Sequence, residues 1–320
     1  MSDKLIGVEF DKVIESAHLP ESNEPWQLDW YYVGGVALLH LVALLAFMPW
    51  FFSWTGVLLV PAGMYVFGTI GTCLGFHRLL THRSFSCPHW FERTLVLLGT
   101  CCMMESPPYW VAVHRCHHQY AERDPHCPLK SFFWSHFGWF VIRIDPERRA
   151  DLIQRYAKDV IQDPLYAFLE YNHNWVGLVV ISWVAFFAGG WGIALATGES
   201  MADAIQFGAS VLVWGVFVRS VEVFQATMCV NSVTHLWGYR NYETHDNSKN
   251  NFLVAIVATG EGWHNNHHAF PRSARHGHSW WELDIAWLTI RLLRWIGLAH
   301  NVVMPSPNLA ALKIDQSVPH

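Results

Sequence analysis

Four long apolar stretches limit what this chain can fold into. They cover residues 31–52, 54–76, 176–197 and 209–230, and each reaches the roughly 20 apolar residues that a helix needs to cross a bilayer. Of the 320 residues, 15% are charged, whereas soluble domains carry about 25%. Because helices satisfy their own backbone hydrogen bonds in lipid, we predict an all-α integral membrane protein with four transmembrane helices.

The connections between these stretches indicate two hairpins. The first two stretches are joined by a very short link around Pro49, and the last two by the acidic segment GESMADAIQ, which we expect to be a loop. A further apolar run at 94–104 is too short to span and predicts a buried or interfacial helix. Arg219 and Glu222 lie three residues apart inside the fourth stretch and so share one helix face. We expect them to form an ion pair, the alternative being a role near a substrate or metal.

The distribution of Lys and Arg predicts the orientation in the membrane. Neither hairpin turn contains either residue, whereas 78–158 and the region after 234 contain many, so both termini are expected in the cytosol. Residues 1–30 lack the pattern of a signal peptide. We therefore expect an N-terminal cytosolic segment (1–30), one domain (31–297) with a cytosolic helical cap formed by 77–175 and 231–297, and a C-terminal tail (298–320). The net charge of −5 gives no reason to expect nucleic acid as a partner.

Histidines are concentrated in three motifs next to the apolar stretches. In the second and third motifs the spacing is i, i+3 and i+4, so on a helix the three rings share one face and can converge on one small volume. In the first motif the residues are five apart, about 140° around an ideal helix. Either the second spanning helix ends there, or these two residues serve different metals. The motif residues are His77 and His82 in HRLLTH, His114, His117 and His118 in HRCHH, and His264, His267 and His268 in HNNHH.

Such clustering predicts metal binding, and the number of rings indicates two ions. His235 in NSVTHLWG is a ninth candidate, and Asn231 one turn earlier is a candidate ligand directly or through water. Imidazole suits Zn, Cu, Fe and Ni alike, but structural zinc sites usually close with four ligands that include Cys. A metal pair beside an apolar bundle indicates an alkyl-chain substrate, and cleaving its C–H bonds requires a redox metal that reduces O2. Iron is therefore expected, with His126, Asp124, Glu105 and Glu261 as candidate hydrogen-bond partners of the ligands.

These motifs give the chain a resemblance to a known protein family. The segments HRLLTHRSF, WVAVHRCHHQYAERDPHCP, FFWSHFGW, NSVTHLWG and GEGWHNNHHAFP are similar, in order and spacing, to those of the membrane fatty-acid desaturases. The first motif, with four residues between its histidines, looks like that of the delta-9 type, which comprises the stearoyl-CoA desaturase family and its bacterial acyl-lipid relatives. The resemblance covers roughly residues 30–297.

This resemblance implies a four-helix membrane protein under a cytosolic cap, and an O2-dependent enzyme that introduces a cis double bond between C9 and C10 of a saturated acyl chain. It implies a bent acyl tunnel in which Trp110, Tyr109 and Trp263 contact the substrate. It also implies a di-iron centre, with Asn231 reaching iron through water and nine imidazole ligands: His77, His82, His114, His117, His118, His235, His264, His267 and His268.

One departure leaves the acyl carrier open. Animal acyl-CoA enzymes carry Arg-Asp just before the second motif, where this chain has Ala112 and Val113. The substrate is therefore expected to be an acyl-CoA, an acyl-carrier-protein ester or a membrane acyl-lipid. We expect electrons from a separate protein, a ferredoxin or cytochrome b5 with its reductase, and the basic stretches 148–155 and 272–275 are candidate docking regions. Two rivals remain: a membrane di-iron hydroxylase of alkyl chains or lipids, which shares the first hydrogen abstraction, and a metal transporter, which the position of the motifs outside the apolar stretches disfavours.

Overall fold

The computed structural model describes residues 27–120 and 131–306, and in this part of the chain the regular structure is helical, with isolated β-bridges and no extended strand. Four helices are long and apolar enough to cross a membrane, which confirms the predicted fold class. The helices, in chain order, are α1 (Trp30–Phe47), α2 (Trp54–Thr81), α3 (His89–Thr100), α4 (Pro107–Tyr120), α5 (Phe132–His136), α6 (Pro146–Tyr156), α7 (Lys158–Ile161), α8 (Pro164–Glu170), α9 (Trp175–Ala196), α10 (Met201–Leu236), α11 (Phe252–Val257), α12 (His264–Ala269) and α13 (Ile285–Trp295).

The ends of the spanning helices differ from those predicted. The first ends at Phe47, because Met48 adopts an extended conformation just before Pro49. The fourth begins at Met201, where the Ser200 hydroxyl accepts a hydrogen bond from the backbone N–H of Asp203. The loop predicted over GESMADAIQ is therefore wrong from Met201 onward, since Ser200 is a good N-cap and the residues after it form the first turns of α10.

The outer surface of the long helices is apolar, as contact with lipid requires. Phe47 and Trp54 are 86% and 73% exposed, and few side chains of α1 are buried. Inside, α3 packs closely against α2: a Cβ placed on Gly71 would lie 2.4 Å from the backbone nitrogen of Gly99. The apolar run predicted as a short buried helix at 94–104 is helical only as far as Thr100, where α3 ends, and the glycine in it lets the two backbones meet.

The predicted ion pair between Arg219 and Glu222 is wrong. Arg219 is fully buried, its guanidinium lies 4.1 Å from the centre of the Phe67 ring, and its Nη2 donates to the carbonyl of Cys101 at 3.4 Å. Its side chain lies across α2 where Gly63 leaves room, since a Cβ on Gly63 would be 2.9 Å from Arg219 Cγ. Packing against α2 and a cation–π contact take the place of the pair expected from spacing alone.

The shorter helices form a cap at the end of the bundle where α2 and α10 finish. A core that includes Phe76, Tyr109, Leu152 and Tyr166 joins α2 and α4 to α6 and α8. Arg115 on α4 donates to the carbonyls of Leu80 and Thr81 at 2.6 and 2.9 Å, and so satisfies carbonyl groups that the end of α2 leaves free. These contacts fix the end of α2 relative to α4.

The last part of α2 explains the unusual spacing of the first histidine motif. From Met64 to Thr81 this helix has the wider turns of a π-helix, and the backbone N–H of His82 donates to the carbonyl of His77 at 3.1 Å, a step of five residues. With that bonding, residues five apart lie about one turn apart on the same side. The helix also ends at Thr81, so the alternative in which it ends at the motif is the correct one.

Candidate metal centre

Five histidines form one group at the end of the bundle. His77 and His82 come from the end of α2, His114 and His118 from α4, and His267 from α12, and one nitrogen of each lies within 4.8 Å of those of the others. The distance from His267 Nε2 is 3.1 Å to His77 Nε2 and 2.9 Å to His118 Nε2. We call this the five-histidine group.

Four further histidines form a second group by the same criterion. His117 comes from α4, His235 from the last turn of α10, and His264 and His268 from α12. The Nε2 atoms of His235 and His264 are 3.0 Å apart, and those of His117 and His268 are 3.3 Å apart. We call this the four-histidine group.

The two groups adjoin, and the second and third sequence motifs are each divided between them. The rings of His118 and His268, one from each group, have centroids 4.5 Å apart. In the second motif the i and i+4 residues enter the five-histidine group and the i+3 residue enters the other, whereas in the third motif only the i+3 residue enters the five-histidine group. The expectation that each triplet converges on one volume was therefore too simple. All nine predicted histidines are brought together, but each helix serves two neighbouring centres.

The orientation of the rings fits metal binding. His77 Nδ1 lies 2.7 Å from a carboxylate oxygen of Glu261, and His268 Nδ1 donates to Asp246. A ring that donates through Nδ1 keeps an unprotonated Nε2, which is the form that binds a metal. In both rings that Nε2 points at other imidazole nitrogens, and His82 Nε2 is buried without a hydrogen-bond partner. Imidazole nitrogens that face one another as hydrogen-bond acceptors would be costly to bury unless a cation lay between them.

Electrostatics at the groups also favour metal ligands. Burial lowers the pKa of His82, His118, His264 and His267 well below the usual value for histidine, and neighbouring imidazoles lower each pKa further. These rings are therefore neutral at pH 7, as ligation requires.

Behind the five-histidine group lies a buried ion-pair network. Burial raises the pKa of Glu261, but the charges of Arg78, His77 and His276 together outweigh it and hold that pKa well below its ordinary value. Arg78 is fully buried and lies 2.9 Å from both Glu261 and Asp284. Of the candidate partners named from sequence, Glu261 contacts a histidine of the groups, whereas Glu105 instead pairs with Arg149 at 2.8 Å. His126 and Asp124 lie outside the described residues.

Two side chains at the centre were not found from the sequence. Asp246 supports His268, and although burial raises the pKa of Asp246, the hydrogen bond and charge of His268 together with the hydrogen bonds from Ser248 bring that pKa below the ordinary value. His276 is fully buried with its ring centroid 4.5 Å from that of His267. Neither belongs to a spaced motif, because the loops that carry them reach the site only in the fold.

An apolar cavity adjoins both groups and runs down between the long helices. His77, His114 and His264 line it at one end and Met64 and Gly68 of α2 at the other. Trp110 and Tyr109, two of the predicted substrate contacts, lie on its wall, and the Trp110 ring stacks on His114 with centroids 5.0 Å apart.

Two other predicted residues differ in their position relative to this cavity. Asn231, one turn before His235, lines the cavity beside His264. Trp263 does not line it in the described structure: it is fully buried, and its indole N–H donates to the carbonyl of Leu283 at 2.8 Å. The substrate contact expected of Trp263 therefore stays a prediction, since Trp263 is not among the residues that line this cavity.

Comparisons with known proteins agree with this geometry. The model of the fatty acid desaturase family matches residues 52–304. A sn-1 stearoyl-lipid 9-desaturase of Anabaena variabilis is 42% identical over 283 residues, covering 88% of this chain and 96% of the relative. A sn-2 palmitoyl-lipid 9-desaturase of Nostoc sp. (strain 36) is 37% identical, over 90% of this chain and 95% of the relative. An icosanoyl-CoA 5-desaturase of Limnanthes douglasii is 38% identical, over 85% of this chain and 72% of the relative.

The family match covers more than half of the chain, and the described structure has four apolar helices and two histidine groups that could hold metal ions. The chain therefore belongs to the fatty acid desaturase family and is an oxidoreductase.

Proposed function

We propose that this enzyme uses O2 to introduce a cis double bond between C9 and C10 of a saturated acyl chain carried by a membrane lipid or by CoA. The observation that supports it best is the position of the two histidine groups, which close one end of an apolar cavity between membrane-spanning helices. Two of the relatives are 9-desaturases of stearoyl-lipid and palmitoyl-lipid, which favours this bond position and a lipid carrier.

We assign two iron ions to the two groups. His77, His82, His114, His118 and His267 would hold one, and His117, His235, His264 and His268 the other, with Asn231 acting through a water molecule. Bound iron would supply the O2-derived oxidising power that cleavage of an unactivated C–H bond requires. Glu261 and Asp246 would orient the ligand rings through their Nδ1 atoms.

The reaction balances with one external donor. The acyl chain loses two hydrogen atoms, which carry two electrons and two protons. A separate protein supplies two more electrons, and two protons come from water. Together these reduce one O2 to two waters.

The protein's own contribution is positional. The cavity wall presents Trp110 and Tyr109 beside His114, so that chosen carbons of an extended chain lie against the metal ligands. Misplacement by about 1 Å can cost a hundredfold in rate, and rigid aromatic rings hold such a position well.

The electron donor, a ferredoxin or cytochrome b5 with its reductase, would dock on a basin of the cap. Two ligand rings, His82 and His118, lie in this basin together with five cationic side chains and Asp159. Of the basic stretches named from the sequence, Arg155 and Arg272 reach it, whereas Arg149 is paired with Glu105 and Glu170. A basic surface above the ligands attracts an acidic partner. The five cations are Arg83, Arg115, Arg155, Lys158 and Arg272.

We also place the cap and both termini in the cytosol. The turns at 48–53 and 197–200 contain no Lys or Arg, and such turns normally face away from the cytosol.

The test is expression in a host that makes only saturated chains and supplies an electron-donor system. Total fatty acids are analysed by gas chromatography–mass spectrometry with the double bonds located by derivatisation, and iron is measured in the purified protein. We expect cis-9 monoenes from the wild type and from His300→Ala, an exposed histidine outside both groups. His114→Ala should insert into the membrane, lose bound iron and give no monoene.

Full activity of His114→Ala would contradict the proposal. Hydroxylated chains in place of monoenes would support the alternative function, a di-iron hydroxylase, because hydroxylation begins with the same hydrogen abstraction.

A further inference from the structure

A groove on the membrane-facing surface separates α1 from α9. Gly34 and Gly35 form part of one wall, and Val176, Val179 and Val180 part of the other. Its volume is about 340 Å³ and its lining is almost entirely apolar. A Cβ placed on either glycine would meet no atom within 4 Å, so this part of the groove is open.

The inner end of the groove adjoins the cavity of the metal centre. Phe140 lines both. The Phe140 ring is in edge-on contact with Tyr32 on one side and Phe224 on the other, with centroids 5.4 and 5.6 Å apart. The Tyr32 hydroxyl donates to Glu105, whose side chain lines the cavity. Three aromatic rings and one hydrogen bond therefore separate the groove from the cavity.

The sizes of the two spaces indicate that they act together. The cavity beside the histidines offers only about 80 Å³, whereas sites for ligands of moderate size occupy roughly 300–1,000 Å³. A long acyl chain needs the groove, the cavity and the space now filled by the Phe140 ring. Side-chain rotation of such a partly buried ring is cheaper than separation of packed helices.

We propose that the acyl chain of a membrane glycerolipid enters the cavity sideways from the bilayer through the groove between α1 and α9, past a gate formed by Tyr32, Phe140 and Phe224. This rests on the proposed function, in which the substrate is a lipid-bound acyl chain. The groove belongs to two membrane-spanning helices and is apolar along its length, so a chain already in the bilayer reaches it without crossing water. An acyl-CoA arriving from water would meet the cap first.

The test fills the groove without disturbing the centre. Gly35→Trp places a bulky ring in the open part of the groove, and Gly177→Trp is its control. Gly177 also has open space around its Cβ and lies near the same end of α9, but it does not line the groove. Each protein is purified with its iron and reconstituted into vesicles of saturated glycerolipid with the electron-donor system.

We expect equal iron content in all three proteins, and wild-type initial rates of monoene formation for Gly177→Trp. Gly35→Trp should be slower by at least about tenfold, as an obstructed approach to the reacting position predicts. A glycerolipid with a photoreactive diazirine on its acyl chain should label Val179 and Val180 in the wild type and lose that labelling in Gly35→Trp.

The proposed entry route would be overturned by a wild-type rate in Gly35→Trp, or by labelling of the groove no stronger than that of the rest of the lipid-facing surface. Turnover of acyl-CoA but not of glycerolipid by the wild type would overturn it as well. Failure of the proposed function looks different, because then the wild type forms no monoene from any carrier while the groove is still labelled.

Discussion

The two histidine groups use the same helices α4 and α12 but are supported in different ways. The five-histidine group adds two rings from α2 and is held through Glu261, which is ion-paired to the buried Arg78. The four-histidine group adds His235 from α10 and is held through Asp246, a loop residue that also accepts from Ser248. One centre is thus tied to a charged network inside the cap, whereas the other depends on a short hydrogen-bonded turn.

This difference indicates that the proposed irons are not equivalent. Glu261 contacts both the candidate ligand His77 and the buried cation Arg78, so it couples metal binding to folding. A carboxylate in a local turn should affect only its own metal. Changing each carboxylate to its amide separates the two cases.

The largest effect is expected from Glu261→Gln. It should lower the stability of the whole protein as well as iron binding, because the neutral amide leaves Arg78 with Asp284 alone. Removing one member of a buried pair costs about 3–5 kcal/mol. Thermal unfolding of metal-free protein and iron content of loaded protein measure the two effects. An unchanged unfolding temperature would remove the distinction between the groups.

Asp246→Asn should have a smaller and more selective effect. The amide accepts a weaker hydrogen bond from His268, and loss of such a partner typically costs 10- to 100-fold in metal affinity or activity. Competition with a chelator should release about half of the iron more easily than in the wild type, while the metal-free protein unfolds at the wild-type temperature. If Asp246→Asn weakened the binding of both iron ions equally, the two groups would act as one unit.

The smallest effect is expected from His278→Gln. His278 lies behind α12, so its change should affect the two histidine groups equally. His278 Nε2–H donates to the Arg275 carbonyl at 3.1 Å, and Nδ1 accepts from the Tyr242 hydroxyl at 2.9 Å. Tyr242 in turn donates its N–H to Asn265 of α12 at 2.9 Å. Burial lowers the pKa of His278 to about 4.

The sign of the pH effect follows from that pKa. Since histidine in the unfolded chain titrates near 6.5, the neutral ring contributes its full stability above that pH, and this is lost as the pH falls from about 6.5 to about 4. Denaturation of metal-free protein across this range should show a shallower loss in His278→Gln, by about 1 kcal/mol after allowance for partial exposure of the ring. If the stability of the wild type and of His278→Gln fell in parallel as the pH was lowered, the lowered pKa of His278 would be contradicted.

Local patterns in the sequence were sufficient to predict the long helices and the nine histidines. Apolar length is a property of contiguous residues, and the i, i+3, i+4 spacing places rings on one helix face. The division of His114, His117 and His118 between two groups could not be predicted from spacing, because it depends on the position of α4 relative to α12. His77 and His82 belong to the same group because the end of α2 has π-helical turns, which ideal α-helical geometry does not contain.

Other features depend on partners distant in the chain. Asp246 reaches His268 from a loop without any motif, and Arg219 is placed by space beside Gly63 rather than by the charge of Glu222. The proposed carrier and donor would be selected by the groove and the basic basin, whose residues come from several helices.

The order of the histidines along the chain has a consequence for biosynthesis. All four long helices are complete at Leu236, but His264, His267 and His268 follow later and contribute to both groups. A nascent chain can therefore thread its helices into the bilayer well before either metal pocket can close. The two proposed iron ions would then bind a chain whose long helices already lie in the membrane, so the supply of metal would limit the maturation of the enzyme and not its insertion.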